Sequence, residues 1–178
     1  MRRSAVLCLL SLMVLSTALS ATTVLYVPVK RSVQMSDLVL VGHVLNMEAV
    51  YNAEGEIVTR IDLLVEEPLK GMARLGEIFS FHAWGGSLDG TVVETEGEAR
   101  YRLGEKVLVQ LENINGEFHT LGLSFGKWNV VRDEVGGQWI TRSLNDLHMV
   151  DVKESPVTKL SLDRMREISR GARGRLSF

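Results

Sequence analysis

Leu38-Val39-Leu40-Val41-Gly42-His43-Val44 is a short run that is apolar at both parities. Branched and aliphatic side chains pointing both ways from so short a segment read as a strand buried on both faces. Beyond it, Asn52-Ala53-Glu54-Gly55-Glu56 is a Gly-containing connection suited to a hairpin. On the far side Ile57, Ile61, Leu63 and Val65 share one parity while Arg60, Asp62 and Glu66 hold the other, so the partner strand keeps one wet face. Pro68 and Gly71 are expected to end it.

The same period continues along the chain. Phe79, Phe81 and Ala83 oppose Ser80 and His82 over Glu77 to Trp84, and Gly85-Gly86 breaks that strand. The Gly-punctuated stretch to Arg100 reads as a loop or irregular ribbon. Val107, Val109 and Leu111 alternate within Lys106 to Glu112, and Asn115-Gly116 is the pair that a tight primed turn demands. Short strands follow at Phe118 to Leu123, Lys127 to Arg132 and, after Gly136-Gly137, Gln138 to Arg142. Strands at this spacing imply an antiparallel barrel or sandwich. One helix is expected near the C-terminus, capped by Ser161, carrying Leu162, Met165 and Ile168 on one face and ending at Gly171, with an Arg-rich tail behind it.

The N-terminus adds an address. Arg2 and Arg3 precede an apolar stretch from Ala5 to Leu15, and small residues at Ala18 and Ser20 suit a signal-peptidase cut between Ser20 and Ala21. The expected organisation is a signal peptide over residues 1–20, a β domain over 21–155, and a C-terminal helix with basic tail over 156–178. Export to a periplasm or the extracellular medium follows, with no membrane span after cleavage. Cys8 is the only cysteine and falls within the leader, so the mature domain has no disulfide, Cys-bound zinc or cysteine nucleophile to draw on. The formal charge of −2 becomes −4 without Arg2 and Arg3, which argues against a nucleic-acid partner.

Several blocks resemble a group of uncharacterised exported bacterial proteins: Ser36 to Val44, Val65-Glu66-Glu67-Pro68-Leu69-Lys70-Gly71, Gly85-Gly86, Arg102 to Val109, and Gly122-Leu123-Ser124-Phe125-Gly126-Lys127. Such proteins look like small OB-type barrels, similar in outline to the netrin-like inhibitory domain of tissue inhibitors of metalloproteinases, and some accompany secreted zinc proteases. The resemblance implies an all-β fold, a small antiparallel OB-like barrel of about six strands with one C-terminal helix. It also implies a partner that is another exported protein, such as a protease. The inhibitors' zinc-chelating N-terminal cysteine has no counterpart at Ala21, so that mechanism is not carried over.

Catalytic spacing is sparse. His43, His82, His119 and His148 lie on separate expected elements, with no H-x-x-x-H or H-x-H pair. Barrel closure that joined His43, His82 and His119 would make a zinc site for a metal-dependent hydrolase. Isolated strand histidines more often have no ligand role. The chain shows no G-x-S-x-G elbow, no P-loop and no dinucleotide fingerprint, and Glu66 and Glu67 point to opposite faces. The reading is therefore a non-enzymatic binding protein requiring no cofactor. Its contact surface is placed at the loop beside His82, Trp84, Gly85 and Gly86, with Trp128 a second aromatic candidate. Trp84, Trp128 and Trp139 read first as core residues and second as anchors for a protein or envelope partner. An oligosaccharide laid on the barrel face is the remaining alternative. Oligomeric state is not set by these patterns.

Overall fold

A computed structural model describes residues 23–152 and 154–173. The expected leader, its cut between Ser20 and Ala21, and the end of the basic tail lie outside the described residues. Among those described, no helix is long and apolar enough to cross a membrane.

The chain forms β1 (Thr23–Leu25), α1 (Val29–Met35), β2 (Leu38–Tyr51), β3 (Ile57–Lys70), β4 (Ile78–Trp84), β5 (Gly86–Leu88), β6 (Thr91–Val93), β7 (Lys106–Ile114) and β8 (Glu117–Thr120). A 3₁₀ turn at Leu123–Gly126 leads to β9 (Lys127–Arg132), β10 (Gln138–Thr141), β11 (His148–Val150), β12 (Lys159–Ser161) and α2 (Leu162–Arg173). The protein is thus all-β in character, with a C-terminal helix as expected and a short N-terminal one besides.

Five strands close a ring in the order β2-β3-β4-β8-β7, where about six were expected. Neighbours are antiparallel except β4 and β8, which run parallel and meet at one paired position, His82 opposite His119. The outer edge of β7 is shared. Its Val107–Val109 half pairs with β9, and its Leu111–Ile114 half pairs with β8. The chain therefore leaves the ring through β9, β10 and β12 as an extension of the sheet.

This topology explains the two-sided apolar run. Leu38, Leu40 and Val44 fill the ring with Ile61, Leu63, Phe81, Val107, Val109 and Leu111. Val39 and Val41 face outward into a second core with Leu108, Trp128, Ile140, Val29 and Val33 of α1, and Leu162 and Met165 of α2. The C-terminal helix is thus part of the body of the protein. Arg166 clasps Glu67 of β3 with contacts of 2.7 to 3.1 Å, and Ser161 Oγ accepts the Arg164 N–H at 3.2 Å as the expected cap.

Three boundaries differ from expectation. β3 runs through Pro68 to Lys70, because Pro68 stands opposite Leu40 next to a register irregularity, where a missing N–H is tolerated. α2 continues through Gly171, since its apolar face is already anchored in the second core. The ribbon after Gly86 contains the small hairpin β5–β6. Asn115 and Gly116 have φ of 52° and 96°, the primed turn expected of that pair.

Candidate functional site

The ring places two groups of polar residues next to each other around Trp84. The first lies on the outer face at the β4–β8 seam. Along β4 alternate residues point outward, giving His82 and Trp84; along β8 the same rule gives Glu117 and His119. The parallel pairing of His82 with His119 sets their rings 5.6 Å apart. Glu117 Oε2 stands 3.5 Å from His82 Nδ1 and 3.8 Å from His119 Nε2. The indole of Trp84 stacks on His119 at 4.2 Å with 15° between the planes. His119 is only 2% exposed. Burial first, and the neighbouring His82 second, hold its imidazole below the ordinary histidine range.

The tip of the β2–β3 hairpin folds onto this group. Asn52 Oδ1 accepts the N–H groups of Glu54 and Glu56 at 3.1 and 2.7 Å, which shapes the tip. From the tip, the Ala53 N–H donates to Glu117 Oε1 at 3.3 Å.

The second group lines a cavity of about 990 Å³ bordered by Trp84, Gly85, Gly86, Tyr101 and the segment from Val93 to Arg100. Gly85 and Gly86 have φ of 86° and 154°, and a Cβ on Gly85 would stand 2.4 Å from the Val93 carbonyl oxygen. Only glycine therefore allows the β5–β6 hairpin to fold back and form this wall. Glu98 projects into the wall, accepting the Trp84 N–H at 3.1 Å and the Ala99 N–H at 2.7 Å. Burial pushes its carboxyl up to about 7, against the opposing effect of those two donors. Glu94, Glu96 and Asp146 add carboxyl groups to the lining, and Arg100 and His148 are its basic members. Val92 and Val93 are exposed apolar residues on the hairpin.

The expected site residues separate accordingly. His82, Trp84, Gly85 and Gly86 come together as one region, with His82 on the seam and the other three on the cavity. Trp128 does not join them. It is fully buried in the second core under the Arg142 guanidinium, 4.0 Å from its ring, and cannot contact a partner. Trp139 is held by its indole N–H on Asp133 at 2.9 Å, away from the cavity. The set His43, His82 and His119 is not assembled. His43 lies on β2 opposite Lys106 and binds Glu66 Oε1 at 2.7 Å, while Glu117 takes the third place beside His82 and His119. The signal for Glu117 was present as Glu117-Phe118-His119, two residues apart on one strand and so on one face. Glu98 had no such signal, since its segment has no period and its partner, the Trp84 N–H, lies on a separate strand.

No protein-family model matches this sequence, and searches of curated proteins and of solved structures return no match.

Proposed function

We propose that this chain is an exported, non-catalytic binding protein built on an OB-type barrel, which captures a cationic segment of another protein in the cavity beside Trp84, Gly85 and Gly86. The five-stranded ring with its one parallel seam supports the OB assignment. The leader-like run ahead of Ala21 supports export.

The observation that carries the binding reading is the cavity itself. A concavity of about 990 Å³ is of the size that admits a peptide segment or a large side chain. Its wall combines an aromatic ring, glycine backbone and several carboxyl groups with few basic ones. Exposed Val92 and Val93 beside it supply the apolar contact that a protein interface needs near its polar rim. Carboxylates around an aromatic wall favour Lys, Arg or a free amine.

The test uses the immobilised chain and an extract of exported proteins, compared with a Glu94→Lys/Asp146→Lys variant. Both positions are exposed, so the fold is retained. A partner retained by the parent, released by salt and lost at least about tenfold on charge reversal is expected. Equal retention by parent and variant refutes the reading.

A further inference from the structure

We propose that His82, Glu117 and His119 form a zinc site that ties β4 to β8 where the ring closes. This inference is independent of the cavity and of what occupies it.

The donor atoms, one from each residue, lie within 4.8 Å of one another. Glu117 Oε2 is 3.5 and 3.8 Å from the two imidazole nitrogens facing it. Those separations are longer than an ordinary hydrogen bond and leave the carboxylate in loose electrostatic contact with both imidazoles. They approach the edge of a tetrahedral zinc site, about 3.3 Å for ligand bonds of about 2.05 Å. The two carboxylate–imidazole edges need to close by only a few tenths of an ångström, and the third edge, between the imidazole nitrogens, lies within 4.8 Å before any ion draws it in.

Two of the facing atoms are also buried without a hydrogen bond. His82 Nδ1, Glu117 Oε2 and His119 Nδ1 each have no hydrogen bond. Buried polar atoms are nearly always satisfied, and two unsatisfied atoms of one cluster, His82 Nδ1 and Glu117 Oε2, point to a shared ligand; the unpaired His119 Nδ1 is the ring nitrogen other than the Nε2 that faces Glu117. The surroundings orient the set: Ala53 N–H holds Glu117 Oε1 and leaves Oε2 to the ion, while Trp84 fixes the plane of His119. Two imidazoles and one carboxylate suit zinc and are poor ligands for magnesium or calcium.

The location gives the ion a purpose. β4 and β8 share one paired position, His82 with His119, so the ring closes there with the fewest ladder bonds. No cysteine follows Cys8, and a metal tie supplies the cross-link that a disulfide cannot.

Zinc titrated calorimetrically into untagged, chelator-stripped protein should bind at one ion per chain, and calcium and magnesium should not compete. Saturation at about a hundredfold excess over Kd should raise Tm by about 5 to 10 °C. His82→Gln and Glu117→Gln, at partly exposed positions, should weaken zinc by at least about 100-fold, whereas His43→Gln should leave it unchanged. Cobalt(II) in the unaltered chain reads the geometry without any variant: the intense visible bands of a four-coordinate ion uphold the assignment. Absence of stoichiometric zinc, an octahedral hydrated cobalt spectrum, or parent-like binding by folded His82→Gln would each overturn it.

Discussion

Replacing Glu98 with glutamine tests the cavity wall quantitatively. In the native protein its carboxyl titrates at about 7, and in the unfolded chain at 4.5. Below 4.5 both states hold the proton and pH has no effect through this group. Between 4.5 and 7 the unfolded chain releases its proton while the native one retains it, so stability falls as pH rises. The slope approaches about 1.4 kcal/mol per pH unit, and the full loss is about 3 kcal/mol, flat above the native value. The carboxyls of Asp62 and Glu66 are shifted downward, the first mainly by the Ser80 hydroxyl and the second mainly by Lys106. Their stabilising effect is lost on acidification, in a lower pH window. The substituted amide cannot ionise, but its NH2 group cannot accept, whereas the hydroxyl oxygen of protonated Glu98 still can; one of the Trp84 and Ala99 N–H groups therefore loses its partner, at a cost of about 1–3 kcal/mol. The variant should therefore be less stable than the parent at pH 5 and equal or more stable at pH 8. Urea unfolding followed by tryptophan fluorescence at intervals between those values measures the difference. Parallel stability profiles for parent and variant would refute the reasoning.

Two further substitutions probe how the layers are joined. Arg142 is buried between the rings of Phe125 and Trp128 at 4.1 and 4.0 Å and donates to the carbonyls of Phe125 and Val157 at 2.6 and 3.0 Å. Arg142→Ala should lower unfolding free energy by about 3 kcal/mol, and Arg142→Lys should recover less than half, because an ammonium cannot stack and bond both carbonyls at once. Lys70 Nζ donates to the carbonyl oxygens of Val33 and Gln34 at 2.9 and 3.0 Å and to that of Ser36, closing the end of α1. Lys70→Met should cost about 1 kcal/mol, and amide exchange should accelerate in α1 while β2 and β7 stay protected.

The parts of the fold that were legible are those specified by local rules. The double parity of Leu38 to Val44 announced burial on two faces, and the structure divides it between the ring and the outer core. Asn115-Gly116 and the Ser161 cap likewise act within a few residues of themselves. The helix α1 was not foreseen because its seven residues are too few to be stable alone. It is held by Lys70, far along the chain, and by Val29 and Val33 in the second core. At the site, Trp84-Gly85-Gly86 was legible as an aromatic beside a flexible break. His82 and His119 stood together as candidates, but only in a set with His43; Glu117 as their third member was not foreseen, because it depends on a single parallel pairing between distant strands. His43 shows the converse: its strand was read correctly, but the closure that decides its neighbours gave it Glu66 and Lys106.

The fork along β7 has a consequence for any attempt to trim this protein. A chain stopped after Gly126 would keep every strand of the ring, yet it would strip Val107–Val109 of the neighbour that satisfies their main-chain donors and acceptors. The same cut would remove Trp128, Ile140, Leu162 and Met165 from the second core and leave Val39, Val41 and Leu108 only partly covered by α1 and Leu69. Such a fragment would carry a raw, oily margin of the kind that recruits strands from other molecules, and it should precipitate before it folds.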